Sequence, residues 1–271
     1  RALMKGHIHT DALMAAVVAR DGGLRVGRRL SHVFHMTVPD SDRVLMITDG
    51  AVNVHPNENT LMDIVRNAVD LAHALGNPEP KVAMLSGTES PIPAMPSSIQ
   101  AKSIVERARA GEVTGAIVDG PFAFDNAISP AAAELKGIDS PVAGRADILV
   151  VPNIEMGNGL FKMLVYFKSG LAAGIVLGAK VPIVLTSRAD PPEARFAATA
   201  IAQEAGASDN PIRDVVTVTA RRREETLTDV PVSVTAFSGE QLDALGAQDI
   251  TAVGQVTPNV TLEVSRGTNT T

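Results

Sequence analysis

The sequence predicts an α/β fold over residues 1–205, with a mostly parallel sheet and helices that flank it. Short apolar runs alternate with helical patterns along this region, which is typical of βαβ units. Apolar residues make up 45% and charged residues 20% of the 271 residues, a balance that suits a packed core. Aromatic residues are only 3%, so aliphatic side chains and methionine must fill that core.

The apolar runs predict seven strands and five helices. The strands are 33–38, 44–48, 82–85, 115–118, 148–151, 174–177 and 183–186, and the helices lie near 60–75, 98–110, 128–136, 158–169 and 191–205. The helix at 60–75 has the clearest signals: a capping box formed by Thr60 and Asp63, apolar residues at helical spacing, and Gly76 as its stop.

The apolar stretch 170–187 is long enough to resemble a membrane span. Lys180, Pro182 and three glycines argue against a transmembrane helix, and two buried strands joined at 178–180 fit the pattern better. Residues 1–205 are therefore expected to have no membrane partner.

Composition excludes several classes of site. The chain has no Cys, which rules out disulfides, thiolate metal sites and a cysteine nucleophile. A net charge of −6 gives no electrostatic reason to bind nucleic acid. The sequence contains neither a P-loop nor a Gly-x-Ser-x-Gly nucleophile elbow.

The connection after the strand at 183–186 is the sharpest candidate for a ligand site. Ser187 and Arg188 precede a helix that begins with proline at 191 or 192, and a hydroxyl, a guanidinium and a helix N-terminus together suit a phosphate. The alternative is an ordinary turn with an exposed arginine. Asp190 and Glu193 have the spacing of a capping box, which would make both structural.

The segment 151–162 also joins a strand to a helix. Gly157 and Gly159 resemble part of a dinucleotide fingerprint, but Lys162 stands where the third glycine would be, so NAD binding is not expected. Either the glycine amides and Lys162 face an anion, or Asn158 caps a helix and Lys162 is solvated. His7 and His9 have a spacing that could suit a metal, but no further ligand completes a site, so no metal is predicted.

Six segments carry a family resemblance: KGHIHT, ITDGAVNVHPN, PKVAMLS, VDGPFAFDNAIS, SPVAGRADILVVPNIEMGNGLFK and VPIVLTSRAD. In this order they resemble the phosphate acetyl/butyryltransferase family over residues 1–205. The segment VLTSRAD and the absence of Cys resemble its butyryl-type branch and the transferase half of bifunctional enoyl-CoA hydratase/phosphate acetyltransferases. The resemblance implies a fold similar to the isocitrate dehydrogenase type, truncated here at its amino end by about a hundred residues.

The resemblance also implies a reaction and the residues that serve it. Acyl-CoA and phosphate would exchange to acyl phosphate and CoA, without a tightly bound cofactor, in a cytoplasmic homodimer. Ser187 and Arg188 match the family's phosphate-holding pair, and Asp190 or Glu193 would replace an acid that the family places where Ala194 stands. The remaining matches are substrate-binding positions: Gly6, His9, Thr10, Gly157, Asn158 and Lys162.

A second resemblance begins beyond a polar junction at 206–213. Residues 214–260 resemble the start of the plug domain of TonB-dependent outer-membrane receptors, so 214–271 is predicted to be a truncated plug-like α+β segment. TonB would be a partner only in that segment's native context, and a truncated or artefactual fusion would explain the combination. The rival functions are thus a receptor plug with the enzyme as passenger, and a dehydrogenase of similar fold, which the missing fingerprint disfavours.

Overall fold

The computed structural model describes residues 2–5, 8–21, 23–39, 41–185 and 191–206. These residues fall within one compact unit, Arg1–Asn210. The predicted tail at 214–271, with its plug resemblance, lies outside the described residues and stays a prediction.

The described elements alternate between strands and helices, as the sequence predicts. In chain order they are β1 (Leu3–Met4), α1 (Thr10–Val17), β2 (Ser31–Thr37), β3 (Leu45–Thr48), α2 (Glu58–Ala74), β4 (Lys81–Leu85), α3 (Pro96–Arg107) with a π-helical turn (Ala108–Glu112), β5 (Ile117–Phe122), α4 (Phe124–Ile128), α5 (Pro130–Leu135), β6 (Ile148–Val150), α6 (Ile154–Lys168), β7 (Leu171–Leu177), β8 (Ile183–Val184) and α7 (Pro192–Ala205).

The strands form one mixed sheet in the order β1-β8-β7-β2-β3-β6-β4-β5. Its larger parallel block is β3-β6-β4-β5, and β1 and β8 are parallel to each other at the opposite edge. Between these blocks, β2 runs antiparallel to both β3 and β7, and β7 runs antiparallel to β8. The α/β class with a mostly parallel sheet is confirmed.

Helices cover both faces of the sheet, so the core has two layers. On one face α2, α3 and α7 pack on alternate strand residues such as Val33, Ile148 and Ile175. On the other face α4, α5 and α6 pack on Met36, Ile47 and their neighbours. Branched aliphatic residues and methionine fill both layers, as the low aromatic content requires.

The start of helix α2 differs from the predicted one. It begins at Glu58, because the Asn57 side chain accepts a hydrogen bond from the Thr60 N–H at 3.0 Å. The predicted capping box of Thr60 and Asp63 is wrong: Thr60 lies within the first turn, and Asp63 accepts from the Arg29 N–H instead. The predicted stop is confirmed, since Gly76 follows the helix with φ of +87°.

The apolar stretch 170–187 begins with the two strands that the sequence predicts. β7 and β8 are antiparallel, with Ile175 opposite Val184, and the connection between them contains Gly178 at φ of +86°. Within the described ranges, every helix is too short or too polar to span a bilayer.

Candidate functional site

A cleft of about 590 Å³ opens on the face of the sheet that α6 covers. Its lining comes from the segments that follow β1 and β8, from the facing side chains of β2 and β7, and from one side of α6. The segments after β1 and β8 leave the sheet at carboxyl ends of parallel strands, which is where α/β sheets bind ligands.

Aromatic packing forms the apolar base of the cleft. The rings of Phe34 and Phe161 are stacked with centroids 3.8 Å apart, which fastens α6 to β2. A Cβ on Gly50 would come within 2.8 Å of the Phe34 ring, so glycine gives this ring its space. Ala172 and Gly174 of β7 continue the lining with small residues and leave the volume open.

Polar side chains line the cleft nearer to solvent. His9 is the N-cap residue of α1 and Thr10 is its first residue, and both are exposed. Lys5 follows β1, and Lys162 extends from the exposed side of α6. The structure therefore brings three predicted residues together at one cleft: His9, Thr10 and Lys162. Together, Lys5 and Lys162 make this opening suited to an anionic ligand.

The start of α7 meets the cleft through Pro191 and Ala194. The helix begins at Pro192, after Pro191 as its N-cap residue, so the predicted proline start is confirmed. The predicted Asp190–Glu193 capping box involves Asp190, which lies outside the described residues. Pro191 and Pro192 have no N–H, and the Ala194 N–H already donates to the Pro191 carbonyl at 3.1 Å. The Arg195 N–H also donates to the Pro191 carbonyl, so the start of α7 offers few free N–H donors and is by itself a weak anion site.

The predicted ligand loop at 151–162 is mostly helix. Asn153, rather than Asn158, caps α6 by accepting from the Met156 N–H at 2.9 Å, and the helix begins at Ile154. The Gly157 N–H donates to the Asn153 carbonyl inside the helix. Neither Gly157 nor Asn158 belongs to the cleft lining.

Gly157 instead permits a close approach between helix and loop. A Cβ at this position would lie 2.8 Å from the Asp49 carbonyl oxygen and 2.9 Å from the Gly50 Cα. The loop that it meets is held by Asp49, whose buried carboxylate accepts from the N–H groups of Ala51, Val52 and Asn53. This contact determines how closely α6 packs on the loop after β3, and therefore the position of Lys162 at the cleft.

His32 lines the cleft, although no sequence motif singles it out as a site residue. It is 2% exposed, and burial lowers the pKa of its imidazole from 6.5 to about 4, although the Asp49 carboxylate opposes that shift. The sequence predicts a strand only over 33–38, so His32 would precede it, whereas the observed strand is Ser31–Thr37. Its alternation places His32 and Phe34 on one face, but only the pairing with β7 shows that this face meets a cleft.

Several predicted positions lie outside the described residues or away from the cleft. Gly6, Ser187, Arg188 and Asp190 are outside the described ranges. Asp119 of β5 accepts hydrogen bonds from Arg109 at 2.8 Å and Ser140 at 2.5 Å, and these bonds are structural. Within the described part of the chain, no group of three His, Asp or Glu side chains is placed to hold a metal ion.

Comparisons with known proteins agree on one family. Residues 2–203 match the family model described as phosphate acetyl/butaryl transferase. A phosphate acetyltransferase of Rhizobium meliloti is 52% identical over 200 residues, which cover 74% of this chain and 63% of the relative. A protein of Bacillus subtilis (strain 168) named "Probable phosphate butyryltransferase" is 46% identical over 200 residues, covering 74% of this chain and 67% of the relative.

A solved structure shows the same fold. The crystal structure of a branched-chain phosphotransacylase from Enterococcus faecalis V583 superposes with a TM-score of 0.70 at 38% identity, covering 76% of this chain and 74% of that one. The chain thus spans less than two thirds of the first of these relatives, and both acetyl- and butyryltransferases are among them.

Proposed function

Since the chain belongs to the phosphate acetyl/butyryltransferase family through residues 2–203, we propose that it takes part in acyl transfer between coenzyme A and inorganic phosphate. The observation that carries the proposal is the cleft itself, which combines an apolar base with two lysines: Lys5, which follows β1, and Lys162 on α6. An acyl thioester needs the apolar base, and the phosphates of both substrates need the cations.

The segment that would hold phosphate is bounded by cleft residues. Leu185 and Pro191, the described residues on either side of 186–190, both line the cleft. This supports the proposal that Ser187 and Arg188 hold phosphate there and that Asp190 acts as the base. Because the two prolines leave the start of α7 with few donors, the Arg188 guanidinium would carry most of that binding.

The proposed reaction is a direct transfer. A phosphate oxygen attacks the thioester carbon, the carbonyl oxygen gains negative charge, and collapse of the tetrahedral intermediate expels the sulfur of CoA as the thiolate. The proton lost by phosphate passes to a base and finally to the thiolate. Alignment of two bound reactants can lower such a barrier by about 7–11 kcal/mol, so the protein's main contribution would be to hold both in place.

The other predicted positions take roles beside this step. His9, Thr10 and Lys162 would contact the substrates at the cleft, and Gly6, next to Lys5, would belong to the same segment. Gly157 would act by seating α6, since its amide is already bonded. Asn158 stays a prediction, because no described contact involves its side chain.

Further parts of the proposal follow from the family resemblance. We propose a cytoplasmic homodimer that uses CoA thioester and phosphate with no tightly bound cofactor. The order of identities does not single out a butyryl-type enzyme, so acetyl- and butyryl-CoA are both candidate substrates. The receptor-plug alternative concerns only residues 214–271 and gains no support from the cleft.

The test is thiol release from acetyl-CoA or butyryl-CoA, measured with and without inorganic phosphate. Arg188→Ala is expected to lower kcat and raise the KM for phosphate, because it would remove the guanidinium that is proposed to bind phosphate. Arg145→Ala is the matched control, since Arg145 is exposed in the connection between α5 and β6 and does not line the cleft. Thiol release that is independent of phosphate, or equal in the two variants, would refute the assignment.

A further inference from the structure

The imidazole of His32 is a buried polar group with an unused hydrogen-bonding atom. It lies in β2, lines the cleft, and its Nδ1 has no partner among the described residues. Buried polar atoms are nearly always paired, because an unpaired one forfeits its bonds to water without replacement. His32 therefore resembles a group that lacks its natural partner.

The protein makes specific room for this ring. The His32 and Phe34 rings lie with centroids 4.2 Å apart, so the imidazole is held against the aromatic base. On its other side, a Cβ on Gly174 would come within 2.8 Å of Nε2, so only glycine there admits the ring. The nearby lining residues Ala172 and Leu185 are apolar, which makes His32 the polar group of the cleft base.

The ring is neutral near pH 7, because burial lowers its pKa to about 4. A neutral imidazole donates from one nitrogen and accepts at the other. Such a donor suits a carbonyl oxygen, whereas phosphate oxygens are better matched by Lys5 and Lys162 near the opening.

We propose that His32 donates a hydrogen bond to the acyl carbonyl oxygen of bound acyl-CoA and is thus a further catalytic residue. This inference rests on the acyl transfer proposed above. When a phosphate oxygen bonds to the carbonyl carbon, the carbon–oxygen π pair moves onto the oxygen, and the bond from His32 strengthens. No proton leaves the imidazole, and the bond relaxes when the carbon–sulfur bond breaks and the carbonyl re-forms.

The test uses the full chain and two kinds of substitution. His32→Phe keeps a ring of similar size but removes the donor, and it is expected to lower kcat about 100-fold while leaving the KM for phosphate unchanged. His32→Asn and His32→Gln place an amide donor near the Nδ1 and Nε2 positions respectively, and one of them should recover part of that loss. His35→Phe is the control, because His35 lies in the same strand with its side chain on the opposite face.

A second readout does not depend on turnover. In protein labelled with ¹⁵N-histidine, butyryl-CoA without phosphate should shift the His32 imidazole resonances, whereas CoA alone should not. Binding of butyryl-CoA measured by calorimetry, with no change at His32 or with the same change for CoA, would overturn the inference but leave the proposed function intact. No binding of either ligand would overturn both, and unchanged kcat in His32→Phe would overturn the inference alone.

Discussion

Alanine substitutions at two glycines of α6 would measure how tightly this helix packs. Gly157 and Gly159 both lie within α6, so alanine at either should gain about 0.8–1.0 kcal/mol of helix propensity. Their surroundings differ: a Cβ at 159 has no heavy atom within 4 Å, whereas a Cβ at 157 meets the backbone of Asp49 and Gly50 at 2.8 and 2.9 Å.

Gly159→Ala is therefore expected to stabilise the protein by about 0.5–1 kcal/mol. Gly157→Ala carries an overpacking cost of about 1–3 kcal/mol, at the upper end because the atoms it meets are backbone and cannot turn aside. The net result is a decrease of about 1–2 kcal/mol in the free energy of unfolding. For a unit of this size, each kcal/mol lowers Tm by about 2–4 °C.

Urea and thermal unfolding followed by circular dichroism would measure both variants beside the parent protein. The difference between them isolates packing, since propensity is common to both. Shifts of the same sign and size would refute the contact between α6 and the loop after β3, and with it the explanation of where Lys162 stands.

Two further predictions concern pH and capping. The pKa of His32 is about 4 in the folded state and 6.5 in the unfolded state, so the unfolded state binds more protons between these pH values and stability should fall as the pH drops through that range. The urea midpoints at pH 7.5 and pH 5 should therefore differ less in His32→Gln than in the parent protein. An equal difference in both proteins would contradict the buried neutral ring. Asn57→Ala should lower the free energy of unfolding by about 1 kcal/mol, because the Thr60 N–H loses its acceptor. Asn57→Asp should retain most of the stability, because its carboxylate can still accept that bond. A urea midpoint of Asn57→Ala equal to that of the parent protein would contradict the cap.

The sequence predicts the strands and long helices well because each has its own periodicity. It does not predict α1, α4 or β1, which are short and owe their form to neighbours: Leu3 donates to the Pro182 carbonyl and pairs with Ile183. The capping error at Thr60 has a similar cause: Asn57 and Thr60 are both residue types that cap helices, and only the structure shows that the helix begins after Asn57.

The candidate site likewise contains residues that local patterns predict and residues that only the fold brings to the cleft. Local motifs locate His9, Thr10 and Lys162, each near the end of an element or on an exposed helix side. They do not reveal His32 or Gly174, because these residues come together only through the antiparallel register in which Phe34 lies opposite Gly174. For Gly157 the motif predicts a substrate-binding amide, whereas the structure shows a close packing contact with the backbone of Asp49 and Gly50, which the sequence alone does not reveal.

The pairing of Leu3 with Ile183 has a consequence for biosynthesis. The two strands come from opposite ends of the unit, so a nascent chain cannot complete this edge of the sheet until nearly all of it has left the ribosome. Contacts this distant in sequence slow folding, because a long loop must close before they form. The opening that Lys5 and Leu185 share should thus be the last part of the molecule to mature, and a chain that stops before residue 183 would leave β1 without its neighbour.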